Sequence, residues 1–312
     1  MEERVLLTGA SGFIGSALLS ALRSKRVKVL PVYRQEVEGG LYVPRIDAET
    51  DWGTTLNNID VVIHTAARVH VMQESTADPL AEFRKVNLEG TLQLARQAAS
   101  SGVKRFIFLS SIKVNGESTT GRGPFTAEEP SNPVDPYGIS KKEAEDALLA
   151  LAEETDLEVV IIRPPLVYGP GVKANFQSMM RWLQKGIPLP LGSINNRRSL
   201  VSVYNLIDLI TVCIEHPNAR NQVFLVSDGL DMSITDLLRR LSRSLRCRAL
   251  LMPVPVSVLI FTLSLLGKRA VADRLCGSLQ VDIGKTMNLL DWQPPVTVEE
   301  GLAKTAESLQ KS

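Results

Sequence analysis

An α/β fold, a doubly wound parallel sheet with a smaller C-terminal lobe, is what this chain predicts, and three observations carry that expectation. Short apolar runs of strand length alternate with segments of helical periodicity through the first half of the chain. A glycine-punctuated turn joins the first apolar run to the first helix. From Pro164 the alternation breaks into glycine and proline punctuation, where a second lobe is expected to start.

The first strand is the run Val5-Leu6-Leu7, followed by Thr8 to Gly15 and a helix with Ala17, Leu18, Ala21 and Leu22 on one face. Three glycines at such a junction have separate tasks. One permits the tight turn, one lets backbone approach a pyrophosphate, and one lets the helix pack closely on the strand. The helix N-terminus adds free N–H groups and a positive dipole end. Gly9, Ser11, Gly12, Phe13, Ile14 and Gly15 are therefore candidate dinucleotide contacts in a Rossmann-type lobe. The alternative is a tight turn that binds nothing.

Val27 to Tyr33 is the second strand, and Arg34 stands at its end, where a carboxylate would bind an adenosine ribose 2′-hydroxyl. An arginine there suits a 2′-phosphate, so NADP(H) is favoured and NAD remains possible. The alternative for Arg34 is a solvated surface side chain. Asp47, with Ala48, follows another short β-like run and is placed at the adenine end. Asp60 to Ala67 is a buried strand ending in Thr65, Ala66 and Ala67, small residues that let backbone reach a ligand. His64 is read as a packed strand-end histidine in preference to a catalytic one.

Asp78-Pro79 starts a helix through Phe83, Val86, Asn87, Thr91, Leu94 and Ala98, closed by Gly102. Asn87 lies in its periodic face, where an amide needs a partner. Arg105 to Ser111 is an apolar strand ending in Ser110 and Ser111, and ligands bind outside the carboxyl ends of such strands. A Gly/Pro/Ser/Thr-rich loop from Asn115 to Asp135 then delivers Tyr137 and Lys141, four apart on one helical face. Glu158 to Arg163 is another buried strand. Ser199 to Val203 and Gln222 to Val226 are expected to return to the main sheet. Residues 1–165 and 200–227 are thus assigned to the nucleotide lobe, and 166–199 with 228–312 to a substrate lobe. Ser233 and Asp236 cap a helix with a stripe of Leu237, Leu238, Leu241 and Leu245. A short helix near Lys285 to Leu290 and a polar C-terminal helix complete the chain.

Composition narrows the class. The 312 residues, 44% hydrophobic and 22% charged, are ordinary for a globular protein. A net charge of +1 offers nothing to nucleic acid or an anionic membrane. Cys213, Cys247 and Cys276 are widely spaced thiols suited to a reducing cytoplasm, and neither they nor His64, His70 and His216 have metal-site spacing. No signal peptide is expected, because the first strand starts almost at once. The most apolar stretch, Ala249 to Leu266, is interrupted by Pro253 and Pro255. The part from Val256 is too short to span a bilayer, and a core or lobe-packing helix is preferred over membrane contact.

TGASGFIG at 8–15, the serine pair, YGISK at 137–141 and RPPLVYGPG at 163–171 together resemble the extended short-chain dehydrogenase/reductase family, of NAD-dependent epimerase/dehydratase type. The resemblance covers essentially the whole chain. It implies a nucleotide-linked sugar held between a Rossmann lobe and a C-terminal lobe. It implies Tyr137 as acid/base and Lys141 as the residue that tunes it and binds the nicotinamide ribose. Ser111 would hydrogen-bond the reacting oxygen, Asn87 would support a proton relay to Lys141, and Ser110 and Pro164 would line the cofactor. A free tyrosine, with pKa about 10, is protonated at neutral pH, and a nearby ammonium favours its phenolate.

SSIKVNGE, GPGVKANF and RRSLVSV are most similar to bacterial surface-polysaccharide (O-antigen) enzymes acting at C4 of UDP-linked N-acetyl sugars. Lys113 and Asn115 are then placed at the sugar, Asn115 standing where many members have tyrosine. Leu166 stands where many have asparagine, so the pyrophosphate contact is assigned to Asn175 and Arg198. Ile112-Lys113 replaces the Asp-Glu pair of dehydratases and disfavours dehydration. With Arg34 favouring NADPH, a UDP-4-keto-6-deoxy-N-acetylhexosamine reductase is placed ahead of a UDP-N-acetylglucosamine/UDP-glucose 4-epimerase with tightly bound NAD. A non-catalytic NAD(P) sensor is the remaining alternative. A homodimer through the helices starting near Pro79 and Tyr137 is expected, with ALLALA at 147–152 as surface wanting a partner.

Overall fold

The computed structural model describes residues 3–69 and 78–310; His70 lies outside them. The chain runs β1 (Arg4–Thr8), α1 (Phe13–Ser24), β2 (Lys28–Tyr33), β3 (Leu41–Tyr42), β4 (Val61–His64), α2 (Pro79–Arg84), α3 (Thr91–Ser100), β5 (Arg105–Leu109) and α4 (Pro136–Glu154). It continues as β6 (Glu158–Arg163), β7 (Leu166–Tyr168), α5 (Ala174–Gln184), β8 (Leu200–Ser202), α6 (Val203–Glu215), β9 (Gln222–Leu225) and α7 (Ile234–Ser244). Helices α8 (Val256–Leu265), α9 (Arg269–Cys276), α10 (Gly284–Leu290) and α11 (Val298–Gln310) close it.

Seven strands form one parallel sheet in the order β3-β2-β1-β4-β5-β6-β9. Alternate residues of each strand feed opposite layers. Val5, Leu7, Ile107, Leu109, Val160 and Ile162 pack with α1 and α6, whereas Leu6, Phe106, Phe108, Val159 and Ile161 pack with α3 and α4. Burial on both faces is why these strands read as continuous apolar runs. Each such side chain contributes about 1.5–3 kcal/mol when fully buried. The C-terminal lobe has a core of its own, from Tyr168 and Phe176 through Leu237, Leu238 and Leu241 to Leu302.

Two expectations are corrected. Leu200–Ser202 does not return to the main sheet; β8 pairs with β7 as a separate two-stranded parallel sheet, and β9 alone rejoins the large one. The helix expected from Pro79 to Gly102 is not uniform, because Lys85–Gly90 is π-helical and separates α2 from α3. Such wide turns mark functional sites, and this one carries Asn87. Helix α8 packs on the C-terminal lobe through Leu259 and the half-buried Val256, as a lobe-packing helix, yet Phe261 and Leu265 are 64% and 71% exposed. Among the described residues, no helix is long and apolar enough to cross a membrane.

Candidate active site

The chain enters the sheet at β1, builds β2 and β3 to one side, then crosses back to β4 on the other. The order therefore reverses between β1 and β4, where ligands of open α/β sheets bind. The glycine loop lies at this switch. Gly9 has φ +72°, and a Cβ there would stand 2.7 Å from the Ala66 nitrogen after β4. A Cβ on Gly15 would meet the Gly9 carbonyl oxygen at 2.1 Å, so only glycine lets α1 start this close to the loop. The first turn of α1 holds no acidic residue, and its N-cap Gly12 makes no side-chain capping bond. Its free N–H groups are thus directed at whatever lies over the loop.

A cavity of about 550 Å³ opens there, collecting Gly9, Ser11, Gly12, Arg34, Asp47 and Thr65 to Ala67. A concave site with exposed glycine backbone at a helix N-terminus and a cation at the end of β2 fits a dinucleotide. Phe13 is half-buried and packs against the cores of both lobes, and Ile14 packs on the main core. Asp47 is in the cavity wall, although its carboxylate already binds Arg45 at 2.8 Å and accepts from Thr50 at 3.0 Å. Ala48 is exposed and stands outside the cavity lining.

His64 is the packed histidine expected. It is fully buried at the end of β4, bridging the Thr8 hydroxyl at 2.8 Å and the Thr91 hydroxyl at 3.0 Å. Burial, reinforced by the Lys141 charge, brings its pKa down to about 3. The imidazole is therefore a neutral strut between β1 and α3.

The residues expected to transfer a proton lie at the carboxyl end of β5. Asp135 caps α4 by accepting from Gly138 N at 2.7 Å, and Pro136 follows as the first helical residue. That cap sets Tyr137 in the first turn, where its phenol hydrogen-bonds Ser111. Lys141, one turn on, is 1% exposed. Its ammonium donates to the Leu109 carbonyl at 2.9 Å and stands 4.2 Å over the Phe108 ring.

Burial acts on both Tyr137 and Lys141, the pair expected to exchange a proton. Burial dominates and pushes the phenol up to about 12, with Asp135 adding to the rise and the Ser111 hydrogen bond opposing it. Burial brings the Lys141 ammonium down to about 7, opposed by the Glu145 carboxylate. In the protein by itself Tyr137 is thus held as the protonated acid.

Other assigned residues fall differently. Asn87 is fully buried, and its amide grips both backbone groups of Arg68 and donates to the Ser140 hydroxyl at 3.0 Å. It steadies the turn before Lys141 and makes no direct bond to the Lys141 ammonium. Ser110 turns away from the cleft and donates to Glu145. Pro164 is buried, its carbonyl accepting from Ile112 at 3.0 Å. Asn115, placed at the sugar, is 2% exposed and engaged by Arg163 at 2.9 Å and the Thr126 carbonyl at 2.8 Å. Lys113 and Arg198 line a second cavity of about 770 Å³ between the lobes. Asn175 stands exposed at the start of α5 and lines neither of these two cavities.

Sequence reasoning missed Glu145 and Arg163. Arg163 Nε donates to Glu145 at 3.0 Å, a second guanidinium nitrogen does so at 2.5 Å, and Ser110 and Asn115 complete the buried network. The spacing carried a signal: Glu145 lies one turn beyond Lys141 on the same face of α4.

A glycine-loop cradle at a helix N-terminus, beside a Ser–Tyr–Lys group in which Ser111 and Tyr137 are half-buried and Lys141 is buried, defines a protein of the doubly wound α/β class. A family model described as the NAD dependent epimerase/dehydratase family matches residues 5–227, and the chain belongs to that family. It is 51% identical over 314 residues to the UDP-glucose 4-epimerase of Vibrio cholerae, covering 99% of this chain and 96% of that protein. It is 26% identical over 328 residues to the N-acetyl-alpha-D-glucosaminyl-diphospho-ditrans,octacis-undecaprenol 4-epimerase of Escherichia coli O157:H7, covering 98% and 95%. Among solved structures, MoeE5 in complex with UDP-glucose and NAD matches with a TM-score of 0.78 and 25% identity over 99% of each chain.

Proposed function

We propose that the chain is an NAD-dependent 4-epimerase of UDP-linked hexoses or N-acetylhexosamines. The Vibrio relative, similar along the full length, supports this over the ketosugar reductase that Arg34 alone favours. The observation that carries the chemistry is Tyr137, hydrogen-bonded to Ser111 and held one turn from Lys141.

Inverting C4 through a ketone requires the hydroxyl there to lose its proton as the carbon is oxidised and to regain it afterwards. Tyr137 takes that proton and returns it, and Ser111 orients the oxygen between the two faces of attack. Lys141 contributes a cation beneath the pair, fixed by the Leu109 carbonyl. The bound dinucleotide supplies a hydride acceptor and donor and, when oxidised, a positive charge that favours the phenolate. Gly9, Ser11, Gly12, Asp47 and Thr65 to Ala67 would hold it. Arg198 suits the sugar diphosphate: it is anchored by the Arg274 carbonyl at 2.9 Å and the Gly277 carbonyl at 3.1 Å. No carboxylate pairs with it among the described residues, which leaves its charge available.

The second reading, an NADPH-dependent 4-ketoreductase, keeps one specific support, Arg34 in the wall of the nucleotide cavity. The two differ in net redox change. The purified protein is mixed with UDP-glucose or UDP-N-acetylglucosamine without added cofactor, and products are identified by mass spectrometry and chromatography. Formation of the C4 epimer supports the proposal. Absence of epimer, with NADPH consumed on a UDP-4-keto sugar, replaces it with the reductase.

A further inference from the structure

The described residues expose fifteen large hydrophobic side chains, and seven of them fall between Leu250 and Val271. This concentration is not dictated by packing. Helices α8 and α9 fold on one another and turn Leu259 and Ala272 inward. Val258, Phe261 and Leu265, spaced three and four apart, form a stripe on the outer face of α8 at 47%, 64% and 71% exposure. Leu266 at the turn and Val271 on α9 extend it. Contiguous apolar surface of this kind marks an interaction site.

Charge indicates the occupant. Residues 239–274 carry eight lysines and arginines and a single acid, Asp273, leaving 27 basic against 33 acidic residues in the rest of the chain. The near-neutral total conceals this asymmetry. Lys268 and Arg269 lie exposed at the hairpin turn; Arg239, Arg240 and Arg269 are paired with Asp236, Glu299 and Asp273, whereas Lys268, Arg243 and Arg246 have no carboxylate partner among the described residues. We propose that the α8–α9 hairpin is a peripheral membrane-docking surface that lies on an anionic phospholipid bilayer, its apolar stripe in the acyl boundary and its cations at the headgroups. A twofold contact between copies of the chain is disfavoured, because it would set the same cations against each other. The hairpin is also a wall of the cavity containing Arg198 and Lys113, through Val256, Ile260, Ala270 and Arg274. Docking therefore holds the mouth of that cavity beside the membrane. The proposal stands whichever reaction the site performs.

The test is flotation of the full-length protein with vesicles of phosphatidylglycerol and phosphatidylcholine, against phosphatidylcholine alone. Wild type is expected to float with the anionic vesicles and to be released by salt. Phe261→Ser with Leu265→Ser should lower the partition coefficient at least about tenfold, since each removes an apolar side chain from the acyl boundary. Melting temperature and turnover of the double variant on soluble substrate should stay at wild-type values, which separates docking from folding. A Phe261→Trp variant should show a blue-shifted emission quenched by brominated lipid. Failure of wild type to float at low salt, or a double variant that floats unchanged, overturns the proposal. So does a wild-type dimer that the double variant converts to monomer without any lipid binding, which would make the hairpin a contact between copies.

Discussion

Glu145→Gln is the perturbation that best exposes how the site is supported. The carboxylate and the Arg163 guanidinium are 2% and 6% exposed, and the arginine donates to it through Nε at 3.0 Å and a second nitrogen at 2.5 Å. The glutamine keeps the shape and an acceptor, but leaves a buried cation without its counter-ion. Breaking one side of such a pair costs about 3–5 kcal/mol. An unfolding entropy of about 2.1 cal/mol/K per residue gives roughly 0.65 kcal/mol/K for a chain of this length, so the melting temperature should fall by about 5–8 °C. Replacing both partners, Glu145→Leu with Arg163→Met, removes the stranded charge and leaves the Asn115, Ser110 and Ser131 groups short of a partner. That should cost about 1–3 kcal/mol, or roughly 2–5 °C, so the double variant should be more stable than the single one. Glu145 also raises the Lys141 pKa, so Glu145→Gln should move it further down and shift the pH–rate profile with it. Differential scanning calorimetry and the pH dependence of turnover check both parts. A single variant within about 1 °C of wild type, or a double variant less stable than the single, would refute the reasoning.

Other expectations are simpler to state. Tyr137→Phe keeps the ring and removes only the proton-transfer group, and should lower kcat by about 10²–10⁴ with little change in KM; equal turnover would remove Tyr137 from the mechanism. His64, with a folded pKa of about 3 against 6.5, binds its proton in the unfolded chain before the folded one. Its contribution is therefore full above about pH 6.5 and lost as pH falls toward 3, up to about 4–5 kcal/mol, and urea midpoints across that window should flatten in His64→Gln. Arg34→Asp should weaken NADPH far more than NADH in direct titrations, since it replaces a cation with a repelling carboxylate; equal losses would make Arg34 a surface residue. The expected homodimer has lost part of its motive, because Leu148 is buried and Leu149, Leu151 and Ala152 pack on the chain's own core. Light scattering at micromolar concentration giving a dimer mass would support it, and a monomer mass would remove it.

The main sheet was legible because strands buried on both faces leave unbroken apolar runs, and the pyrophosphate loop because glycine there is a steric necessity at both Gly9 and Gly15. What stayed hidden was pairing. Leu200–Ser202 is as buried as the strands of the main sheet, and nothing in its own residues names β7 as its partner. The π-helical turn at Lys85–Gly90 was hidden for a related reason. One extra residue in a turn barely disturbs an apolar pattern, so the periodicity from Phe83 to Ala98 looked continuous. Its consequence was misjudged with it: the wide turn carries the Asn87 amide to Arg68 and Ser140, one residue short of the lysine it was expected to serve.

In the site, residue types were readable and their electrostatics were not. Tyrosine and lysine one turn apart on a helix suggest that the ammonium tunes the phenol, because helical spacing brings their Cβ atoms close. Depth acts on both groups as well. Lys141 is drawn into the sheet by the Leu109 carbonyl and the Phe108 face, groups that no spacing rule connects to it. Burial then governs both partners in opposite directions, raising the acid and lowering the base, so that the pair by itself holds its proton on Tyr137. A cation arriving with the dinucleotide would act against that burial, favouring release of the tyrosine proton. The buried Glu145–Arg163 pair fits the same logic: its carboxylate keeps Lys141 from falling further, and it sits under the site where burial alone would have neutralised the lysine. On the proposed reading, proton transfer at Tyr137 is set by a balance of burial and charge reaching two layers into the protein, and the Glu145 variants test that balance without touching a group assigned to the sugar.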